Sequence, residues 1–383
     1  MIPFDYQPRT RIVFGADTIE RLGELAGELG ARRALVVSDP GVIQAGHTAR
    51  GIEALRRAGI EAHLFDAVRE NPTTQDVEAG VRFARRHEPE LLVGLGGGSS
   101  MDCAKGINFV YSNGGSMKDY HGVGKALREM LPMIGVPTTA GTGSEAQSFA
   151  LISDAETKTK MACGDKKAAC RIAILDPTLT VTQPRTITAL TGIDALAHAI
   201  ETFVTNRRNP ISITLSREAW RLLAGNFARV LDAPDDLEAR AGMQLGACFA
   251  GMAIENSMLG ATHALANPLT ADYGIVHGQA IGSMLSHVIR FNAVECASLY
   301  HDLLETTAGT AGFPCPQDGF EGLADFVDQL VVKAGLHLKL SDCGVEATQL
   351  TKLAGDAAAQ WTGNFNPRKV DAPTLQSIYE QAF

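Results

Sequence analysis

The stretch LLVGLGGGSSMDCAKG (91–106) decides the fold of the first half of the chain. Leu91 to Leu95 read as a short buried strand. It runs directly into Gly96, Gly97, Gly98 and Ser99, and then into a helical pattern. In such a strand–turn–helix unit the backbone N–H groups at the helix start can bind a phosphate, and glycines let the backbone approach it closely. The strict Gly-x-Gly-x-x-Gly fingerprint is not met, because Ser99 stands in place of the third glycine. A plain tight turn has the same look, so this segment alone is a weak pointer to a nucleotide.

On both sides of it, short β-branched runs alternate with helical patterns, as parallel strands joined by helical crossovers do. RRALVVSD (32–39) and EAHLFD (61–66) read as strands, and HTARGIEALRRAG (47–59) and TTQDVEAGVRFARRHEP (73–89) as helices. LPMIGVPTTAGTGSE (131–145) repeats the strand-then-loop form, and RIAILDP (171–177) is a last short strand. From Thr188 the pattern changes. TALTGIDALAHAIETFVT (188–205), SITLSREAWRLLAGNFARVL (212–231) and LEARAGMQLGACFAGMAIEN (237–256) are long Ala- and Leu-rich helical patterns. TVTQPRT (180–186) carries breaker residues. The chain is therefore expected to be α/β plus all-α, with an α/β domain over 1–185 and an all-helical domain over 186–383.

The length, 383 residues, also favours two domains. Apolar residues make up 45% and charged residues 20%, as in ordinary globular proteins. The formal net charge is −9, with no basic stripe of the kind a nucleic-acid binder needs. An acidic surface disfavours anionic membranes, and no apolar run is expected to span a bilayer. The start, MIPFDYQPRTRIVF, lacks the charged and apolar regions of a signal peptide. Seven cysteines, at 103, 163, 170, 248, 296, 315 and 343, form no Cys-x-x-Cys pair. They read as free thiols in a reducing cytoplasm.

Asp194 and His198 are four apart in a helical pattern and so share one face, with Glu201 on the same side and suited equally to a cap or an ion pair. For that pair alone, an Asp–His hydrogen bond on a packed helix is the plainer reading. GATHALANPLTADYGIVHGQA (260–280) adds His263 and His277 in an apolar setting, and His287 lies ten residues on as a competitor. Burying imidazoles there costs several kcal/mol unless they find partners. A metal held by one carboxylate and neutral imidazoles supplies them. Such a nitrogen-rich set suits a first-row transition metal rather than calcium or magnesium, and leaves iron, zinc, manganese, nickel and cobalt open.

On the nucleotide side, PTTAGTGSEA (137–146) offers Thr138, Thr139 and Thr142 among glycines, suited to phosphate, ribose or a flat ring, or simply a plain loop. Asp39 ends the strand at 32–38. A carboxylate there can accept the adenosine ribose hydroxyls and repel a 2′-phosphate, favouring NAD over NADP. Asp39-Pro40-Gly41 is also a good turn sequence.

GGGSSMDCAKG (96–106), PTTAGTGSE (137–145), DALAHAIE (194–201) and the His263–His277 stretch occur in that order. With them the chain resembles the iron-containing (group III) alcohol dehydrogenase family. The resemblance implies an N-terminal Rossmann-like dinucleotide-binding domain, a C-terminal helical domain and an active site in the cleft between them. It implies Asp194, His198, His263 and His277 as the metal ligands and catalytic set, with iron(II) the usual metal and zinc in other cases. It implies cofactor contacts at Asp39, Gly96, Gly97, Gly98, Ser99, Thr138, Thr139, Thr142 and Lys160. The implied reaction is hydride transfer between a primary alcohol or its aldehyde and NAD(H), in a cytoplasmic homodimer or larger homo-oligomer. Members of the family often carry a second histidine where this chain has Asn267, a glycine where it has Thr270 and a proline where it has Val276. Asn267 leaves the ligand set intact and bears on the proton's exit route. Glycerol dehydrogenase-like polyol oxidation, or a dehydroquinate synthase-like lyase on the same fold, is the alternative. A binding protein without chemistry would be marked by loss of a ligand, and a helical scaffold would not need two glycine-rich loops after buried strands.

Overall fold

Strand β4 (Leu91–Gly96) is buried along its whole length, which is why it reads as one apolar run rather than an alternating one. It lies inside a six-stranded sheet with β1 (Arg11–Phe14), β2 (Arg33–Val37), β3 (Glu61–Phe65), β6 (Met133–Pro137) and β9 (Ile172–Leu175), in the order β1-β9-β6-β4-β2-β3. Every pair in it is parallel, with Ala34 opposite Leu91 and Leu92 opposite Met133. The computed structural model describes residues 3–309 and 312–383.

The connecting helices are α1 (Leu22–Glu28), α2 (Pro40–Gln44), α3 (His47–Arg57), α4 (Thr74–His87) and α5 (Gly98–Asn113). Side chains alternate across a strand, and the two faces of the sheet divide accordingly. Leu35, Val37 and Leu92 pack with Val77, Val81 and Ile107 of α4 and α5. Val36, Val93 and Leu95 pack with Leu22, Leu25 and Leu55 of α1 and α3. The chain moves outward from β2 to β3, then returns to β2's other flank for β4. The C-terminal ends of β2 and β4 therefore meet where the strand order reverses, the usual crevice for a ligand in an open parallel sheet.

A three-stranded sheet, β5 (Gly122–Val123), β8 (Lys160–Gly164) and β7 (Phe149–Ser153), is ordered β5-β8-β7, with β7 and β8 antiparallel. Neither this sheet nor β1 was legible in the sequence. FALIS and KMACG are only five residues each and mix apolar with small or polar side chains, so their pairing rather than their composition makes them strands.

The chain divides into two units: Gln7–Gln183, which holds both sheets, and Pro184–Phe383 together with the residues up to Tyr6. The second unit contains α6 (Arg185–Val204), α7 (Pro210–Asp232), α8 (Leu237–Ser257), α9 (Ala261–Tyr273), α10 (His277–Leu304), α11 (Gly319–Ala334), α12 (Leu350–Ala358) and α13 (Ala372–Gln381), and no strand among the described residues. Breakers and caps set the bounds. Pro210 opens α7, and Asn209 Oδ1 accepts from the N–H groups of Ile211 and Ser212. The absence of a membrane-length apolar segment, expected from sequence, needs correction. By length and composition α6 is long and apolar enough to cross a bilayer, but 83% of its apolar window is buried inside the protein. Every residue from Gly192 to Val204 is buried, the mark of a core helix. Asp194, His198 and Glu201 are the ionisable residues in that buried run.

Candidate functional site

The loops that follow β4 and β6 pack on one another. Gly97 is the N-cap of α5, and the Thr138 N–H donates to Gly96 O at 3.0 Å, continuing the ladder past Pro137. Gly98 faces Thr142 so closely that a Cβ on it would lie 2.7 Å from Thr142 Cγ2, and Gly97 lies less tightly against Thr139, where a Cβ would be 3.3 Å from Cγ2. Asp39 belongs to this group. Its Oδ1 accepts from the Val42 N–H at 3.1 Å as the N-cap of α2, and its Oδ2 accepts from Ser100 Oγ at 3.0 Å. Ser99 Oγ accepts from the Asn71 N–H. Thus Asp39, Gly96, Gly97, Gly98, Ser99, Thr138, Thr139 and Thr142 are gathered at the ends of β2, β4 and β6. Lys160 is exposed on β8. Its charge reaches Asp102, but no hydrogen bond joins it to either loop.

Beneath the loops lies a cluster that sequence reading missed. The buried Lys105 donates from Nζ to Ser144 O at 2.6 Å, Ser144 Oγ at 2.9 Å and Phe149 O at 2.9 Å. Ser144 Oγ in turn donates to Asp102 Oδ1 at 2.7 Å. Lys105 thereby ties α5 to the threonine loop. The available signal was a lysine on the apolar side of a helix that is buried on most of its surface.

The second constellation is centred on one oxygen. Asp194 Oδ1 lies 3.3 Å from His198 Nε2, 3.4 Å from His263 Nε2 and 3.6 Å from His277 Nε2. Asp194 and His198 come from α6, His263 from the first turn of α9 and His277 from the first residue of α10. One ligand atom each from Asp194, His263 and His277 lies within 4.8 Å of the others. His198 meets the group through Asp194 and through its ring, stacked on that of His263 with centroids 4.9 Å apart. Asp194, His198 and His263 are buried, whereas His277 keeps 28% of its side chain exposed.

Electrostatics follow from burial and charge together. Burial alone would raise the Asp194 carboxyl; His198, and after it His263 and His277, outweigh that and hold it well below the usual carboxylate range. Burial alone would lower His263, but the Glu201 charge and then Asp194 push it up to about 9. Asp194 Oδ1 and His263 Nε2 face each other without completing a hydrogen bond, and neither atom has another hydrogen-bond partner. His287 does not join the group. Burial lowers its pKa, and its charged neighbours are Asp328 and Arg290. Asn267, one turn beyond His263, donates from Nδ2 to Gln360 Oε1 at 3.0 Å.

Residues 8–177 match the family model described as iron-containing alcohol dehydrogenase, and residues 188–383 match its C-terminal counterpart. The chain is 32% identical over 382 residues, 99% of each chain, to a 1,3-propanediol dehydrogenase of Klebsiella pneumoniae. It belongs to the iron-containing alcohol dehydrogenase family. The NAD-dependent methanol dehydrogenase of Bacillus methanolicus is 30% identical over 370 residues, 97% of each chain. A solved 1,3-propanediol oxidoreductase superposes with a TM-score of 0.95 at 32% identity, covering 100% of both chains. This family member is an enzyme of alcohol and aldehyde oxidoreduction, with the α/β sheet unit and the helical unit its sequence led us to expect. Both matching family models are those of alcohol dehydrogenases, and nothing in the comparisons favours the polyol or lyase alternative.

Proposed function

We propose that this enzyme transfers a hydride between a primary alcohol or its aldehyde and NAD(H), with one divalent metal held by Asp194, His198, His263 and His277. The observation that carries the reading is the pair of buried atoms, Asp194 Oδ1 and His263 Nε2, left without hydrogen-bond partners. An unsatisfied buried group costs about 1–3 kcal/mol, and a bound cation would remove that cost. One carboxylate and three imidazoles fit iron(II), the family's metal, and also zinc. When bound, the metal supplies Lewis-acid chemistry, easing deprotonation of an alcohol and polarising a carbonyl.

The chain's own groups do the rest. The free N–H groups at the start of α5, behind Gly97, Gly98 and Ser99, receive the pyrophosphate. Thr138, Thr139 and Thr142 offer hydroxyls to the ribose and nicotinamide side. Each Asp39 oxygen keeps a lone pair beyond the bond it already accepts, so the carboxylate can take a ribose hydroxyl and disfavours a 2′-phosphate. Lys160 adds a cation beside these loops. Asn267 is a neutral amide bound to Gln360 and gives up no proton near neutral pH; the substrate proton therefore leaves by water, the ribose or a group other than residue 267. A cytoplasmic location rests on the seven free cysteines, and a homodimer or larger homo-oligomer rests on the family resemblance.

Chelating the metal should abolish NADH production from a primary alcohol, and returning iron(II) or zinc should restore it. Full activity in metal-free protein would overturn the reading. Light scattering behind a sizing column tests the oligomer.

A further inference from the structure

Glu201 is 3% exposed and lies on α6 beyond His198. Its two carboxylate oxygens have separate partners. Oε1 accepts from the Thr262 N–H at 2.7 Å, and Oε2 lies 2.5 Å from His263 Nδ1. Both partners are in the first turn of α9, whose N-cap, Gly260, has no side chain to receive the exposed N–H groups. Those groups are received from elsewhere in the unit: Asn366 Oδ1 accepts from the Ala261 N–H at 3.1 Å, and Glu201 takes the next. Glycine at 260 leaves room for both acceptors, since a Cβ there would sit 3.0 Å from Glu201 Oε1 and from Asn366 Oδ1.

This geometry constrains the imidazole. A carboxylate at a helix N-terminus is stabilised in its charged form, and a charged carboxylate only accepts. The atom facing it, His263 Nδ1, must therefore carry a proton. In the neutral ring the lone pair then belongs to Nε2, the atom that points to Asp194 Oδ1 and has no hydrogen-bond partner. We propose that Glu201 is a positioning residue that fixes His263 as the Nδ1–H tautomer and so presents Nε2 to the metal. The role rests on the reading that Asp194, His198, His263 and His277 hold a metal, and it deepens that reading by assigning the ring nitrogen. Partners of this kind orient ligand imidazoles and strengthen metal binding.

E201Q is the informative variant because it changes little in shape. The Thr262 backbone N–H can only donate, so it keeps the amide oxygen. The amide NH2 then faces His263 Nδ1 and drives the ring proton to Nε2, the nitrogen the metal needs. Zinc affinity, read by competition with a chromogenic chelator, should weaken about 10–100-fold in E201Q, while the unfolding midpoint of the metal-free protein stays near wild type. E201D keeps the charge on a shorter arm and should recover part of the affinity. N366A removes the neighbouring cap without touching a histidine and should bind zinc nearly as wild type does. In the zinc-loaded wild type, 15N-labelled histidine should show His263 protonated at Nδ1 and not at Nε2, a measurement that decides the matter whichever variants fold. An unprotonated Nδ1, an E201Q protein with wild-type zinc affinity, or an equal loss in N366A would each overturn the positioning role and leave the metal reading standing. A wild type that takes up no zinc or iron would instead remove the metal reading itself, and the role of Glu201 with it.

Discussion

At the ends of β4 and β6 the polar groups are paired with one another. Asp39 accepts from Val42 and Ser100, Lys105 donates to three oxygens, and no buried side-chain polar atom in the two loops is left over among the described residues. At the histidine centre on α6, α9 and α10 the opposite holds. Three imidazoles converge on one oxygen of Asp194, and two buried atoms, Asp194 Oδ1 and His263 Nε2, still lack a hydrogen-bond partner. The contrast follows from what each region would bind. A dinucleotide can be held by backbone N–H groups and small hydroxyls that are already in place at a helix start. A metal needs lone pairs withheld from neighbouring donors, and the fold bears their cost until a cation arrives.

The largest test of that contrast is His263→Ala. Turnover should fall by about 10²–10⁴-fold, the several kcal/mol a Lewis acid supplies. Affinity for NADH, read by its fluorescence, should stay close to wild type. An H263A protein with the wild-type rate would break the comparison. The reciprocal change is Gly98→Ala, whose Cβ would press on Thr142 at 2.7 Å. Overpacking of that kind costs about 1–3 kcal/mol, so the Kd for NADH should rise about 5–150-fold while bound metal is unchanged. Loss of metal from G98A would show that the two regions are not independent. The smallest effect concerns the thiols. In the sheet unit Cys103, Cys163 and Cys170 are all buried, whereas the helical unit holds the exposed Cys315 and the half-buried Cys343. Burial pushes Cys170 and Cys296 up to about 11, and Cys163 to about 12. At pH 8 at most about one in 10³ of these thiols is thiolate, and the fraction grows only as pH rises toward those values. Mass spectrometry after Ellman labelling of the native protein at pH 8 should find Cys315 modified first, Cys343 more slowly, and no modified cysteine in the sheet unit.

Much of this was legible in the sequence because the signals are local. The continuous apolar run at Leu91–Leu95 marked a strand buried on both faces, and the helical period placed α6, α7 and α8 to within a few residues. The i, i+4 spacing of Asp194 and His198 put them on one face, since a helix fixes that relation by itself. The β7–β8 pair was not legible, because neither strand has a pattern strong enough to stand without its partner.

By itself, then, the sequence determined the two kinds of fold, the glycine and threonine loops and the four metal-ligand candidates. Only the tertiary structure decided that His263 and His277 meet Asp194, that Lys105 supports the threonine loop, and that Glu201 acts on His263. Glu201 and His263 are separated by 62 positions and joined by one hydrogen bond. Helical periodicity could place Glu201 beside His198 on α6, but only the tertiary fold, which brings the first turn of α9 to Glu201, could bring His263 Nδ1 to its carboxylate.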